Sequence, residues 1–337
     1  MILLTGATGY IGSHIWIELL RRSAPVIGLD NFSNSSRERL NVIAGISGIS
    51  PTFIEGDIRD IYLLEQIFSR HQITEVIHLA ALKDVKESEF DRANYYDVNV
   101  YGLEQIILAM RKYGCHKIIF SSSAAIYGDA VISPINEESI ASPSNYYGKT
   151  KLQCEQMLAE EFLKFPAIHS VSLRYFNVAG WHSSGLLFDL ASSISHSLFT
   201  EIQKVLMGNL SLLPIFGNDW KTADGTCIRD YLHISDLVAG HINAIKLVSG
   251  CAQINLGSGR GYSVREVISE YERITGLKIA TVIAGRRHGD VETSFADTTM
   301  AEKLIDWRPL KTLSDMCADS YRASLLRLTN PAPLVEK

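Results

Sequence analysis

The chain has 337 residues, 46% hydrophobic and 20% charged, with 32 Lys plus Arg against 37 Asp plus Glu and a formal net charge of −5. That balance fits about two globular domains, or one with an added lobe, and excludes a disordered chain. It also excludes binding to nucleic acid through bulk charge, because such chains are basic and carry Lys/Arg runs, but it leaves room for a local basic pocket.

Ile2–Thr5 reads as a short buried strand, followed by three spaced glycines and helical periodicity over Ile11–Leu20. Val26–Leu29 is the next strand and ends at Asp30; Thr52–Glu55 is another and ends at Gly56-Asp57. The alternation continues with a helix over Asp60–Arg70, a strand over Val76–Leu79 and one long helix over Asp91–Lys112. A strand over Lys117–Phe120 then runs into Ser121–Ser123, before a helix over Tyr146–Leu163 and a strand over Ser170–Arg174. Strands alternating with such helices predict an α/β fold, a doubly wound parallel sheet of the Rossmann type. Ligands of such sheets sit beyond the carboxyl ends of the strands, where Gly6–Gly12, Asp30-Asn31, Asp57, Ala80–Lys83 and Ser121–Ser123 fall.

After Asn177 the rhythm changes. Gly180–Asn218 holds Ser-rich segments, one or two helices and a strand at Leu213–Phe216; Arg229–Asp236 is extended and feeds a helix; Gln253–Leu256 is a last sheet strand. From Val264 short helices and a strand at Ile279–Ile283 suggest a smaller α/β lobe, and the tail from Thr329 carries two prolines and reads as frayed. The expected division is residues 1–177 plus about 225–257 for a dinucleotide-binding domain, and about 178–224 plus 258–337 for a substrate lobe.

Cys115, Cys154, Cys227, Cys251 and Cys317 lie far apart, are odd in number and form no CxxC pair, which fits free thiols in the cytoplasm. The sequence has neither an apolar run of about 20 residues for a membrane span nor a basic leader segment before the first strand. Its histidines show no metal-ligand spacing.

Gly6-Ala7-Thr8-Gly9-Tyr10-Ile11-Gly12 lies between a strand and a helix. Glycines there let the backbone turn tightly and approach a pyrophosphate at the helix N-terminus, where free N–H groups and the dipole favour negative charge. A carboxylate ending the second strand, Asp30, suits the adenosine ribose hydroxyls and repels a 2′-phosphate, favouring NAD over NADP. Asp57 with Ile58 could flank the adenine; the plainer reading of Asp57 is a helix N-cap. Tyr147 and Lys151 stand four apart and share a helix face. A Lys cation beside a phenol favours the phenolate, which would make Tyr147 a general base towards an alcohol and an acid towards a carbonyl oxygen. Ser123, past a strand end, can hydrogen-bond the same substrate oxygen. His78 and the four tryptophans read as packing, and nothing marks Cys154 as reactive.

Taken together, TGATGYIGSH, LDNFSNS, EGDIRD, VIHLAALKDVKES, FSSSAAIYGD, NYYGKTK, LRYFN, IFGNDW, IRDYLHISDLVAGH, NLGSG and RRHGD resemble the UDP-galactose (UDP-glucose) 4-epimerase family of extended short-chain dehydrogenase/reductases, over nearly the whole chain. The resemblance implies that Gly6, Gly9, Tyr10, Ile11 and Gly12 hold the NAD pyrophosphate, and that Asp30, Asn31, Asn34 and Ser35 surround the adenosine ribose. It puts Asp57 and Ile58 at the adenine, Ala80, Ala81 and Lys83 along the cofactor and towards the sugar, and Phe176 near the nicotinamide. Ser123, Tyr147 and Lys151 would be the catalytic set. Asn177, Leu198, Phe216, Arg229, Arg287 and Asp290 would bind the UDP-sugar. The implied reaction oxidises the sugar at C4, turns the 4-keto sugar over and reduces it from the opposite face, with NAD regenerated. A homodimer built on Asp91–Lys112 and Tyr146–Leu163 is implied too.

The sequence departs from the family in three places. Ser197, in His196-Ser197-Leu198-Phe199, replaces an Asn that meets the nucleotide, so that contact is expected to be altered or to run through water. Asn177-Val178 replaces Asn-Pro. Counting from Arg286-Arg287-His288-Gly289-Asp290, the sugar-pocket gatekeeper falls on Ser294, where glucose/galactose-restricted members carry Tyr. Removing a steric block broadens specificity, so UDP-GlcNAc and UDP-GalNAc are expected substrates alongside UDP-Glc and UDP-Gal, unless Phe295 fills the space. A dehydratase or decarboxylase would need acidic residues where Ala124 and Ala125 stand. A reductase that releases its cofactor, and a non-catalytic NAD-binding regulator, are the remaining alternatives.

Overall fold

In the computed structural model, which describes residues 1–129, 132–187, 197–247, 250–287 and 289–329, the chain opens on β1 (Ile2–Thr5), all four residues of which are buried. The first half continues α1 (Tyr10–Arg21), β2 (Val26–Asp30), α2 (Glu38–Ser47), β3 (Thr52–Glu55), α3 (Ile61–Arg70), β4 (Glu75–His78), α4 (Val85–Phe90), α5 (Arg92–Tyr96), α6 (Gly102–Tyr113), β5 (Lys117–Ser123), α7 (Tyr146–Lys164) and β6 (His169–Tyr175). The second half holds β7 (Asn177–Ala179), α8 (Leu198–Leu206), β8 (Leu213–Phe216), β9 (Ile228–His233), α9 (Ile234–Ala244), β10 (Cys251–Leu256), β11 (Gly261–Ser263), α10 (Val264–Thr275), β12 (Thr281–Ala284), β13 (Thr293–Ser294), α11 (Thr299–Ile305) and α12 (Leu313–Thr329).

Seven strands form one parallel sheet in the order β10-β6-β5-β4-β1-β2-β3. Strands buried on both faces need unbroken apolar runs, which is why β1 reads ILLT. Alternate residues then serve opposite faces. Leu4 and Ile77 meet Ile15, Trp16 and Leu19 of α1 and Leu237 of α9. Leu3 and Val76 meet Leu64 and Ile67 of α3 and Leu103, Ile106 and Met110 of α6. This is the expected doubly wound α/β fold. The order reverses between β1 and β4, and the crevice at such a switch point is where ligands of open α/β sheets lie. A separate core of Phe199, Ile202, Leu213, Ile215, Tyr231, Val267, Tyr271 and Met316 gathers α8, α10, α12, β8 and β9.

Several expected boundaries move. The β5 strand runs on through Ser123 because its serines pair with β6, Ser123 opposite Tyr175. The single helix expected over Asp91–Lys112 is interrupted: α5 passes through a π-helical turn at Asp97–Tyr101 before α6. The cause sits at Asn99, buried in that turn, whose side-chain oxygen accepts from the Leu82 N–H at 2.8 Å and whose amide donates to the Leu82 carbonyl at 3.0 Å and to Thr150 Oγ1 at 3.1 Å. Thr329 closes α12 rather than starting a frayed tail. The residues after it, His196 and His288, lie outside the described set.

Candidate active site

Along the carboxyl ends of the central strands runs a cleft of about 530 Å³. The glycine loop forms its floor. Gly6 has φ +66°, and a Cβ built on it would fall 2.7 Å from the Ala80 nitrogen; one on Gly12 would fall 2.1 Å from the Gly6 oxygen. Neither position admits a side chain, so the loop lies flat between β1, β4 and α1 and leaves backbone facing the cleft. Asp30, at the end of β2, accepts from the Thr8 N–H at 3.0 Å and the Phe32 N–H at 2.9 Å. Ser35 stands behind it, its hydroxyl 2.6 Å from Thr8 Oγ1.

Asp57 is not a helix cap. Asp60 caps α3, accepting from the Leu63 N–H, while Asp57 accepts from the Arg59 guanidinium at 2.7 and 2.8 Å and from the Asn31 amide at 2.9 Å. Arg59 holds the Asp57 carboxyl down to about 2, so the carboxylate stays charged at neutral pH.

The catalytic candidates converge from two elements. Ser123 ends β5, and its Oγ accepts from the Ala125 N–H at 3.1 Å. Tyr147 and Lys151 come from α7, whose start is fixed by Asn145 Oδ1 accepting from the Gly148 N–H at 2.8 Å. Ser123, Tyr147 and Lys151 all line the cleft. The expected effect of the lysine on the phenol is not what this state shows. Lys151 donates to the Ser121 carbonyl at 2.7 Å and lies 5.8 Å from the Tyr147 ring centroid. Protein surrounds Tyr147 on every side but the cleft, and that burial pushes its phenol up to about 12 while the facing Ser123 hydroxyl opposes the rise. Burial also pulls the Lys151 ammonium down to about 8. Desolvation disfavours both charged forms. Cys154, one turn on, is pushed up to about 12 by burial, which keeps it a thiol, as expected. His78 is the packed residue expected, its Nδ1 2.7 Å from Thr5 Oγ1.

The other cofactor-side candidates, Gly9, Tyr10, Ile11, Asn31, Asn34, Ile58, Ala80, Ala81, Lys83 and Phe176, line the cleft, as do Asn177 and Ser197. Ser197 is the N-cap of α8, its Oγ accepting from the Thr200 N–H at 3.2 Å. Leu198, Phe216, Arg229, Arg287, Asp290 and Ser294 are not among the lining residues, nor is Ser35. Four of these form their own cluster: Arg287 lies 4.3 Å over the Phe216 ring, and Asp290 meets Arg287 at 3.2 Å and Arg229 at 3.4 Å. Strand β7 links the cluster to the cleft, since Asn177 pairs with Tyr231 on β9. Ser294 sits beside Arg229 in the β13–β9 register.

Sequence reading missed Arg59, Asn94, Val98, Trp181, Phe199 and Thr200 on the cleft wall. Arg59 could have been found as the cation two residues past a strand-end Asp. Trp181 carries no such signal in the sequence.

A family model described as the NAD dependent epimerase/dehydratase family matches residues 2–257. A UDP-glucose 4-epimerase of Bacillus subtilis (strain 168) is 42% identical over 324 residues, 95% of this chain and 96% of its own. Among solved structures, a UDP-glucose 4-epimerase of Stenotrophomonas maltophila with bound NAD and formylated UDP-arabinopyranose superposes with a TM-score of 0.95 at 36% identity, covering 98% of this chain and 99% of that one. That of Bifidobacterium longum, in complex with NAD+ and UDP, gives 0.91 at 40% identity and 98% coverage of each. The chain belongs to the NAD dependent epimerase/dehydratase family and, within it, to the UDP-glucose 4-epimerases.

Proposed function

We propose that this protein is an NAD-dependent UDP-hexose 4-epimerase, an isomerase of carbohydrate metabolism. The observation that carries the reading is one cleft lined by the glycine loop, the Asp30 carboxylate and the set Ser123, Tyr147 and Lys151. The cofactor's fit rests on the two loop glycines, where any Cβ would collide with backbone and close the cradle. Gly6, Gly9 and Gly12 would hold its pyrophosphate and Asp30 its ribose. Bound NAD supplies the two-electron acceptor and donor that reversible oxidation at sugar C4 requires. Tyr147 lines the cleft; as the phenolate it would take the 4-hydroxyl proton, and as the phenol so formed it would return that proton to the 4-keto oxygen. Ser123 holds that same oxygen in line with the phenol. Lys151, fixed on the Ser121 carbonyl, supplies positive charge one helical turn from Tyr147. Arg229 and Arg287 offer planar donor forks for the nucleotide phosphates.

Residues 1–177 with about 225–257 form the cofactor domain in this reading, and the remainder the sugar-nucleotide lobe. A homodimer is supported by exposed Tyr101 and Leu108, about two turns apart, and residence in the cytoplasm by five free cysteines. Among the described residues no helix is long and apolar enough to cross a membrane. Acceptance of N-acetylated sugars is supported by the small Ser294 side chain at the expected gatekeeper position and by the Phe295 ring packing against Gly261, where a Cβ would lie 3.1 Å from it.

The test is conversion of UDP-Glc and of UDP-GlcNAc by protein purified without added NAD, followed by proton NMR. Both are expected to reach epimer mixtures, and Ser294→Tyr is expected to lose UDP-GlcNAc while keeping UDP-Glc. Conversion of neither, with NAD added, would overturn the epimerase reading; conversion of UDP-Glc alone by the wild type would overturn only the specificity.

A further inference from the structure

Tyr147 stands in the first turn of α7, where backbone N–H groups find no partner within the helix. Three side chains fill that turn. Asn145 takes the Gly148 N–H at 2.8 Å, and α4 supplies the other two: Glu89 takes the Tyr146 N–H at 2.6 Å and Ser88 Oγ the Tyr147 N–H at 3.1 Å. Glu89 is partly exposed and shared with Arg92, whereas Ser88 is fully buried. The Ser88 hydroxyl donates its own hydrogen to the Val85 carbonyl at 2.6 Å. A carbonyl can only accept, so Ser88 Oγ is fixed as an acceptor towards Tyr147. The helix that carries Ser88 is itself held: Asp84 caps it by accepting from the Glu87 N–H at 2.9 Å, and the Tyr95 hydroxyl donates to the Asp84 carbonyl at 2.7 Å.

The Tyr147 carbonyl is tied to the same stretch of chain. It accepts from the Thr150 hydroxyl at 2.8 Å, and Thr150 Oγ1 accepts from the Asn99 amide, which also bonds Leu82. Both polar backbone groups of Tyr147 are therefore held by the stretch 82–88, one directly and one through two side chains. The upstream end of that stretch overlaps Ala80–Lys83, which lines the cleft. The residue that carries the phenol and the wall it faces are joined by buried hydrogen bonds.

We infer that Ser88 is a positioning residue for the reaction: its hydroxyl fixes the backbone of Tyr147 against the Ala80–Lys83 wall and so sets where the phenol meets the substrate oxygen. This deepens the epimerase reading and rests on it. Loss of the hydroxyl strands the Tyr147 N–H and frees the first turn of α7 to shift, and a small misplacement of a reacting group is felt in the chemical step.

The test uses the holoenzyme. Ser88→Ala removes the acceptor, and Ser88→Cys puts a weak acceptor in nearly the same space. On UDP-Glc, Ser88→Ala is expected to lower kcat about tenfold, the worth of one hydrogen bond, with KM unchanged and Ser88→Cys in between. Amide hydrogen exchange, read residue by residue, is expected to quicken at Tyr147 while the amides of the last turns of α7 stay as they are. Faster exchange with kcat unchanged overturns the positioning role. So does faster exchange along the whole of α7 with KM raised, which is what a merely structural role would give, and so does unchanged exchange at Tyr147. If Ser88→Ala does not fold, Ser88→Cys decides on the same readouts. A wild type that does not convert UDP-Glc fails the epimerase reading; a wild type that does, beside a Ser88→Ala variant of equal kcat, fails this inference alone.

Discussion

Tyr147 and Lys151 share one helix face, yet burial drives each towards its neutral form. The phenol in this state is a proton donor, not a base, so the positive charge that makes it a base must come with the assembled complex rather than from Lys151 alone. Tyr147→Phe is expected to lower kcat by about 10²–10⁴-fold, the usual worth of a positioned acid–base group, with KM little changed. Steady-state kinetics check this, and a fall in KM equal to that in kcat would point to ground-state strain instead. Lys151 also leaves a stability signature. Folded, it titrates near 8, whereas unfolded it titrates at about 10.4. Between those values the unfolded chain binds more protons, so this group's contribution to stability rises with pH across the window. Denaturant melts of wild type and Lys151→Met should differ by a term that grows in the wild type's favour from pH 8 to 10, on the order of 1–3 kcal/mol. A flat difference would mean the ammonium is not desolvated.

Helix α7 carries both residues, and what locks it to the sheet is a buried ion pair one turn past Lys151. The Glu155 carboxylate accepts from Arg174 at 2.6 and 3.0 Å and from the Ser122 hydroxyl, and Arg174 donates on to the Tyr127 hydroxyl at 3.0 Å. Removing one partner strands a buried charge, so Glu155→Ala is expected to cost about 3–5 kcal/mol, and Glu155→Leu with Arg174→Met distinctly less. Urea unfolding measures both; equal losses would show that the pair itself, not the stranded charge, holds the helix. Most of this element is legible in the sequence: the expected Tyr146–Leu163 falls one residue short of the observed end at Lys164, because helix spacing is local. The Asp91–Lys112 region was not, because its π turn is set by Asn99 reaching Leu82 and Thr150, contacts that no local pattern encodes. Strands β7, β11 and β13 are two or three residues long and exist only as partners of β9. Their invisibility is the reason the relation of Arg229 and Ser294 to the cleft could not be read from spacing.

At the scale of the molecule, the sheet order reverses at β1 and β4, and every glycine-loop and strand-end candidate but Ser35 reaches the crevice there. That part was readable because a parallel sheet sends each strand's carboxyl end to the same edge. On the far side, the separate core that gathers α8, α10, α12, β8 and β9 stands beside Arg229 and Arg287, which share Asp290. In the proposed reaction C4 is oxidised and reduced on one enzyme, and its hydrogen does not exchange with water. The measurement is turnover of UDP-glucose deuterated at C4, read by deuterium NMR and mass spectrometry of the product. The expected product is UDP-galactose with the deuterium still at C4. Loss of the label to solvent would contradict it, because C4 would then be inverted by proton abstraction from carbon rather than by oxidation and return.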